Sequence, residues 1–139
     1  MSDLRKSIAL HEGLSLTPYK CSEGYTTVGF GRNLDTKGIS LAEAYVLLDN
    51  DIRQATIQAE RFWWFDQLTE QRADVVVEMI YNLGARGFNS FQNMIKAIEQ
   101  GNFEEASFQM LESKWSSQVG KRAITLSNNM RADSKGLYL

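Results

Sequence analysis

The chain of 139 residues contains one cysteine, one proline and one histidine. A single thiol, Cys21, cannot close an intramolecular disulfide, and one Cys with one His is too few for a four-ligand zinc site. Stability therefore has to come from packing, and neither a metal nor another cofactor is expected. One proline and ten glycines exclude collagen-like and proline-rich low-complexity chains. Long apolar runs are missing too: nothing approaches the roughly 18 to 20 unbroken apolar residues of a membrane span. Charge of one sign is not in excess. Fifteen Lys+Arg against 17 Asp+Glu give a formal charge of −2, so the basic field that usually announces nucleic-acid binding is lacking, and no nucleic-acid partner is expected. The first ten residues carry Asp3, Arg5 and Lys6 and lack the roughly 7 to 15 residue apolar stretch of a signal peptide. The expectation is a protein that stays in the cytoplasm of the cell that makes it. What is present, 43% apolar and 23% charged residues without repeat or linker, suits one small soluble domain.

Apolar periodicity makes most of that domain helical. Leu4 and Ile8 fall at helical spacing, so an opening helix that buries them also brings Glu12 onto its apolar side before Gly13 ends it. From Leu14 to Leu34 the residues change to Tyr, Thr, Val, Phe and glycine, which predicts a short strand, a Ser-Glu-Gly turn and a second strand containing Thr27. Ser40 with Glu43 reads as a capping box opening a helix that runs to about Arg61. An aromatic knot, Phe62 to Phe65, precedes a helix opened by Thr69 that is apolar almost all round and is stopped by Gly84 and Gly87. A short helix over Ser90 to Glu99 follows. Asn102 with Glu105 reads as a second capping box, and two or three short helices finish the chain. The tryptophans read mostly as core, and His11 as structural or peripheral.

Glu12, Cys21 and Thr27 stand out as candidate chemistry. The helical phase of Glu12 predicts partial burial, which lifts a carboxyl pKa and suits a general acid, against the bland reading of a solvated surface charge. Cys21 is either an inert buried small hydrophobe or, given the polar turn of Lys20, Ser22, Glu23 and Gly24, a reachable thiol whose pKa Lys20 could lower. Thr27 alone reads as an ordinary strand threonine.

Glu12-Gly-Leu-Ser-Leu-Thr-Pro-Tyr-Lys-Cys-Ser-Glu-Gly-Tyr-Thr-Thr-Val-Gly-Phe-Gly resembles the signature of the phage-type lysozymes, glycoside hydrolase family 24. In that signature a Glu is followed nine positions later by Asp or Cys and six after that by Thr, the spacing of Glu12, Cys21 and Thr27. The resemblance continues through the Ser40-capped helix, Met79-Ile-Tyr-Asn-Leu-Gly84, and Trp115-Ser-Ser-Gln118 to Arg122. It implies an α+β, mostly helical, lysozyme-like two-lobed fold, with a small β-hairpin lobe at about 13–60 and a larger helical lobe at about 61–139 plus the N-terminal helix, joined by a long helix.

The family's activity is hydrolysis of the β-1,4 bond between N-acetylmuramic acid and N-acetylglucosamine in peptidoglycan, lysing the bacterial cell. The resemblance implies catalytic roles for Glu12 as general acid and for Cys21 and Thr27 in positioning or activating water. It implies substrate contacts from Asn82, Gly84, Phe91 and Asn93, the approach of Arg122 to the acid, and an Arg32–Asp51 pair with Asp51 facing inward. As an endolysin the protein would be a monomer in the host cytoplasm, with peptidoglycan glycan strands as substrate and a holin as the partner that opens the membrane. Three departures from many members are Cys21 in place of Asp, Arg32 in place of His, and a short connection from Gly31 to Ser40; the family's frequent positive charge is also replaced by −2. Loss of the second carboxylate leaves a lytic transglycosylase as an alternative, and a non-catalytic glycan-binding relative as another.

Overall fold

The computed structural model describes residues 2–132, and it divides into two compact units, one ending at Leu47 and the other beginning at Leu48. The expected helical lobe runs on to 139, of which residues 133–139 lie outside the described residues. The first unit opens with helix α1 (Ser2–Glu12), ended by Gly13, whose N–H bonds the Ala9 carbonyl. Three antiparallel strands follow in the order β1 (Ser15–Lys20), β2 (Thr26–Gly29) and β3 (Arg32–Asn33). Tyr19 pairs with Thr27 and Lys20 with Thr26, and the register shifts between Ser15 and Tyr19. Pro18, which has no N–H to give a ladder, lies in that irregular stretch. The expected turn is a tight one, with Gly24 N–H on the Cys21 carbonyl and Cys21 N–H on the Tyr25 carbonyl, both at 2.9 Å.

This unit has almost no interior. Leu4 and Ile8 are 54% and 47% exposed, contrary to the expectation of burial. Their helical phase is right, but that side of α1 stays open to solvent, and among the described residues of the unit Thr27 alone is buried.

Helix α2 (Leu41–Ala59) begins as the capping box predicts. Glu43 N–H donates to Ser40 Oγ at 3.1 Å, and Ser40 N–H donates to the Glu43 carboxylate at 2.8 Å. Glu43 also receives both Nη atoms of Arg32, at 3.0 and 2.7 Å. That corrects the expected Arg32–Asp51 pair. The cap turns Glu43 back toward the hairpin that carries Arg32, whereas Asp51 lies more than two helical turns further along and is exposed.

The second unit holds the hydrophobic core, whose buried residues all lie between Ala55 and Met130. A short 3-10 turn (Phe65–Gln67) leads to helix α3 (Glu70–Asn89), with Thr69 Oγ1 accepting from Arg72 N–H at its start. Val75, Val76, Met79, Ile80 and Phe88 bury one broad side of α3, while Asp74, Glu78 and Asn82 keep a polar stripe in water. Gly84 breaks the helix at φ 75°, ψ 167°, a conformation that costs an L-residue strain and glycine none. Gly87 does not stop it; it is helical and packs against Leu83. Phe62 stacks on Trp64 at 4.8 Å and meets the edge of Phe88 at 5.5 Å. Trp64 and Trp115 are core, but Trp63 is 63% exposed.

Four helices complete the unit: α4 (Gln92–Glu99), α5 (Phe103–Leu111), α6 (Lys114–Val119) and α7 (Lys121–Arg131). The second capping box is half formed. Asn102 accepts from Glu105 N–H, but the Glu105 carboxylate turns to Gln109. Ser107 and Ser127 meet at 2.6 Å where α5 packs on α7. Gln71 and Arg72 donate to the last carbonyls of α7 at Asn129, Met130 and Arg131 and to that of Ala132, which caps it, so the start of α3 satisfies the end of α7. Among the described residues, no helix is long and apolar enough to cross a membrane.

Candidate active site

Glu12 is the last residue of α1, a position at which the chain turns into β1. Its carboxylate is exposed rather than partly buried, for the same reason that Leu4 and Ile8 are. It packs on the backbone of Gly31, where a methyl group would overlap the carboxylate oxygen. Gly31 itself has φ 78°, a left-handed conformation that glycine adopts without strain. The carboxylate borders an open hollow of about 350 Å³ with Gly13, Leu14, Ser15 and Tyr19.

Cys21 precedes the Ser22–Gly24 turn of the β1–β2 hairpin, and Thr27 lies beyond it in β2, paired with Tyr19. Cys21 is half-buried and Thr27 only 4% exposed. The backbone N–H groups of Glu23 and Tyr25 face the sulfur and hold the thiol below its ordinary pKa, helped by the Thr27 hydroxyl and opposed by desolvation and by the Glu23 charge. Lys20, which the sequence offered as one source of such a shift, donates to Thr26 Oγ1 at 2.7 Å. Thr27 Oγ1 also donates to the Tyr25 carbonyl at 3.0 Å.

The remaining candidates lie in the second unit. Asn82 Oδ1 accepts from Trp115 Nε1 at 2.7 Å, which fixes which end of the amide is the oxygen and leaves its NH2 group as the donor. Gly84 makes the break that ends this part of α3. Phe91, the N-cap of α4, meets the edge of Trp115 with centroids 6.0 Å apart. Phe91 and Asn93 line a hollow of about 500 Å³ that Gln109, Lys114, Trp115 and Gln118 complete. Asn82 and Gly84 do not line it. Of its polar lining, Gln109 carried no sequence signal beyond helical periodicity. Trp115 is core, as its residue type predicts, but its indole N–H also orients Asn82. Arg122 pairs with Glu78 at 2.8 Å within this unit. Among the described residues, no cluster of His, Cys, Asp and Glu could hold a metal ion.

Residues 9–133 match the family described as phage lysozyme. The chain belongs to the phage lysozyme family. Among its relatives are two proteins of Dictyostelium discoideum, probable T4-type lysozyme 1, 25% identical, and probable T4-type lysozyme 2, 24% identical; each alignment covers 88% of this chain and 90% of the relative. Both units are therefore spanned by the likeness. Phage lysozyme membership agrees with the helical α+β fold and its three-stranded sheet, and it supports a lysozyme-like enzyme of the peptidoglycan hydrolase kind.

Proposed function

We propose that this phage lysozyme relative hydrolyses the β-1,4 bond between N-acetylmuramic acid and N-acetylglucosamine, with Glu12 as general acid and Cys21 and Thr27 orienting the attacking water. The observation that carries the reading is the setting of Cys21. Glycoside hydrolysis needs an acid for the leaving oxygen and a second group that activates water or balances the charge of an oxocarbenium-like transition state. An ordinary thiol is a few per cent ionised near pH 7. Two backbone N–H groups beside the sulfur raise that fraction, with a smaller contribution from the Thr27 hydroxyl, so the thiol supplies part of what a carboxylate would. Glu12, exposed beside a hollow, is open to a leaving-group oxygen. Asn82 offers an amide donor, Phe91 an apolar ring and Asn93 a second amide, which suits N-acetyl sugars; Gly84 shapes the backbone next to them. In this reading the enzyme is a monomeric phage endolysin, released from the host cytoplasm onto the wall when a holin opens the membrane.

Mass analysis of muropeptides released from purified peptidoglycan tests the assignment. Wild type should release products with reducing ends. Glu12→Gln should reduce release by about 100-fold or more, and Cys21→Ser, which keeps the hydrogen bonding but cannot ionise in this range, by about tenfold. Undiminished release by Glu12→Gln overturns the role of Glu12. Products ending in 1,6-anhydro sugars overturn hydrolysis in favour of transglycosylation, which uses the sugar's own hydroxyl in place of water.

A further inference from the structure

Strand β3 is two residues long, and its ladder with β2 ends at the Thr27–Asn33 pair. The next residue of β2, Thr26, still has a carbonyl and an N–H to satisfy. Leu34 N–H donates to the Thr26 carbonyl at 2.8 Å, and the Thr26 N–H donates to Asp35 Oδ2 at 2.7 Å. A side chain thus replaces the missing strand residue. The segment carrying Asp35 is itself fixed: Thr36 N–H bonds Asn33 Oδ1, Lys37 N–H the Asn33 carbonyl and Gly38 N–H the Leu34 carbonyl, each at 3.1 Å. Arg32, already gripping Glu43, donates to the Gly38 carbonyl at 3.0 Å. From the other side Lys20 holds the Thr26 hydroxyl. Thr26 is held at nitrogen, carbonyl oxygen and hydroxyl, although its own side chain has no part in the proposed chemistry.

What those bonds hold is a peptide plane. The Thr26 N–H and the Tyr25 carbonyl belong to one planar trans group, so fixing one end fixes the other. The Tyr25 carbonyl accepts both Thr27 Oγ1–H at 3.0 Å and Cys21 N–H at 2.9 Å. We infer that Asp35 is a positioning residue for the Cys21–Thr27 pair, acting through the Tyr25–Thr26 peptide group. The catalytic part of this role rests on the hydrolase reading, but the geometric part is measurable without substrate.

Cys21 is the chain's one cysteine, so the rate of its alkylation by iodoacetamide as a function of pH reports on this thiol alone. The charges near the pair are Glu23, which opposes ionisation, Lys20, bonded to the Thr26 hydroxyl, and Asp35 itself. Asp35→Ala should move the rising limb of the alkylation profile to higher pH and slow the reaction at pH 7 by about threefold or more, because Tyr25 is then no longer held toward the sulfur. Asp35→Asn keeps an acceptor oxygen and should restore the wild-type profile, and muropeptide release should fall with alanine and recover with asparagine. Superimposable profiles for wild type and Asp35→Ala overturn the inference. Equal shifts in both variants also overturn it, since charge rather than the hydrogen bond would then be responsible. Should Asp35→Ala not fold, hydrogen exchange in the wild type decides: a protected Thr26 amide supports the bond, and exchange at the rate of an unstructured peptide overturns it. Wild type that releases no muropeptides ends the hydrolase reading, a result separate from the alkylation profiles.

Discussion

Among the described residues up to Leu47, Thr27 alone is buried, whereas from Leu48 onward Val75, Val76, Met79, Phe88, Met94, Met110 and Met130 are all nearly or wholly withdrawn from water. The first unit is defined instead by polar bonds: the Arg32–Glu43 pair, the Ser40 cap, Asp35 on Thr26 and Lys20 on Thr26. Glu12, Cys21 and Thr27 all belong to this coreless unit. Directional bonds fix positions in a way that apolar burial, which is non-directional, does not. The comparison teaches that the groups proposed to act on a bond sit where geometry is set by hydrogen bonds, while the free energy of folding is concentrated elsewhere.

The contrast can be broken by three measurements. Phe88→Ala removes a fully buried ring that meets Phe62 and should cost about 3 to 5 kcal/mol in denaturant unfolding. A loss below about 1 kcal/mol would mean that the second unit is not the anchor. Thr69→Ala deletes the cap of α3 without touching the core and should cost about 1 kcal/mol, read by the same unfolding curves. The smallest effect belongs to the first unit. Arg32 and the Ser40 cap hold the Glu43 carboxyl at about 2 instead of 4.5. A depressed folded pKa adds stability above the unfolded value and loses it as pH falls toward the folded one. Wild type should therefore melt slightly above Arg32→Met at pH 5, and the gap should close between about pH 4.5 and pH 2. Exposure and salt screening keep this effect below that of Thr69. A gap at pH 5 as large as the Phe88 effect would erase the distinction between the units.

Much of the fold was legible because its signals are local. Ser40 and Glu43 stand three apart and close a box; Thr69 precedes a run at helical spacing; the glycine at 84 interrupts it; Cys21 to Gly24 form a turn between two β-rich stretches. Non-local partners were not legible. Leu4 and Ile8 have the phase of a buried face, but periodicity says which residues share a side and not whether anything covers it. Analogy pairs Arg32 with Asp51, and only the structure shows that its partner is Glu43. The site was readable to the same degree. The family resemblance marked Glu12, Cys21 and Thr27 as candidates, but what acts on the sulfur is backbone N–H, which every residue but proline carries and no sequence pattern flags. The Asn82–Trp115 bond joins residues 33 apart, and Asp35 acts through a peptide plane; neither leaves a trace in composition or period.

Gly84 has a stereochemical consequence. Its φ 75° and ψ 167° are the mirror image of about −75° and −167°, which lies in the ordinary extended region of an L-amino acid. In terms of handedness the site is one for a D-residue, and of the residues a ribosome inserts only achiral glycine meets that demand without strain. Its identity is accounted for by backbone chirality alone. Whatever part Gly84 takes beside a glycan, it enters through the direction in which it sends the chain, not through an atom of its own that another residue would lack.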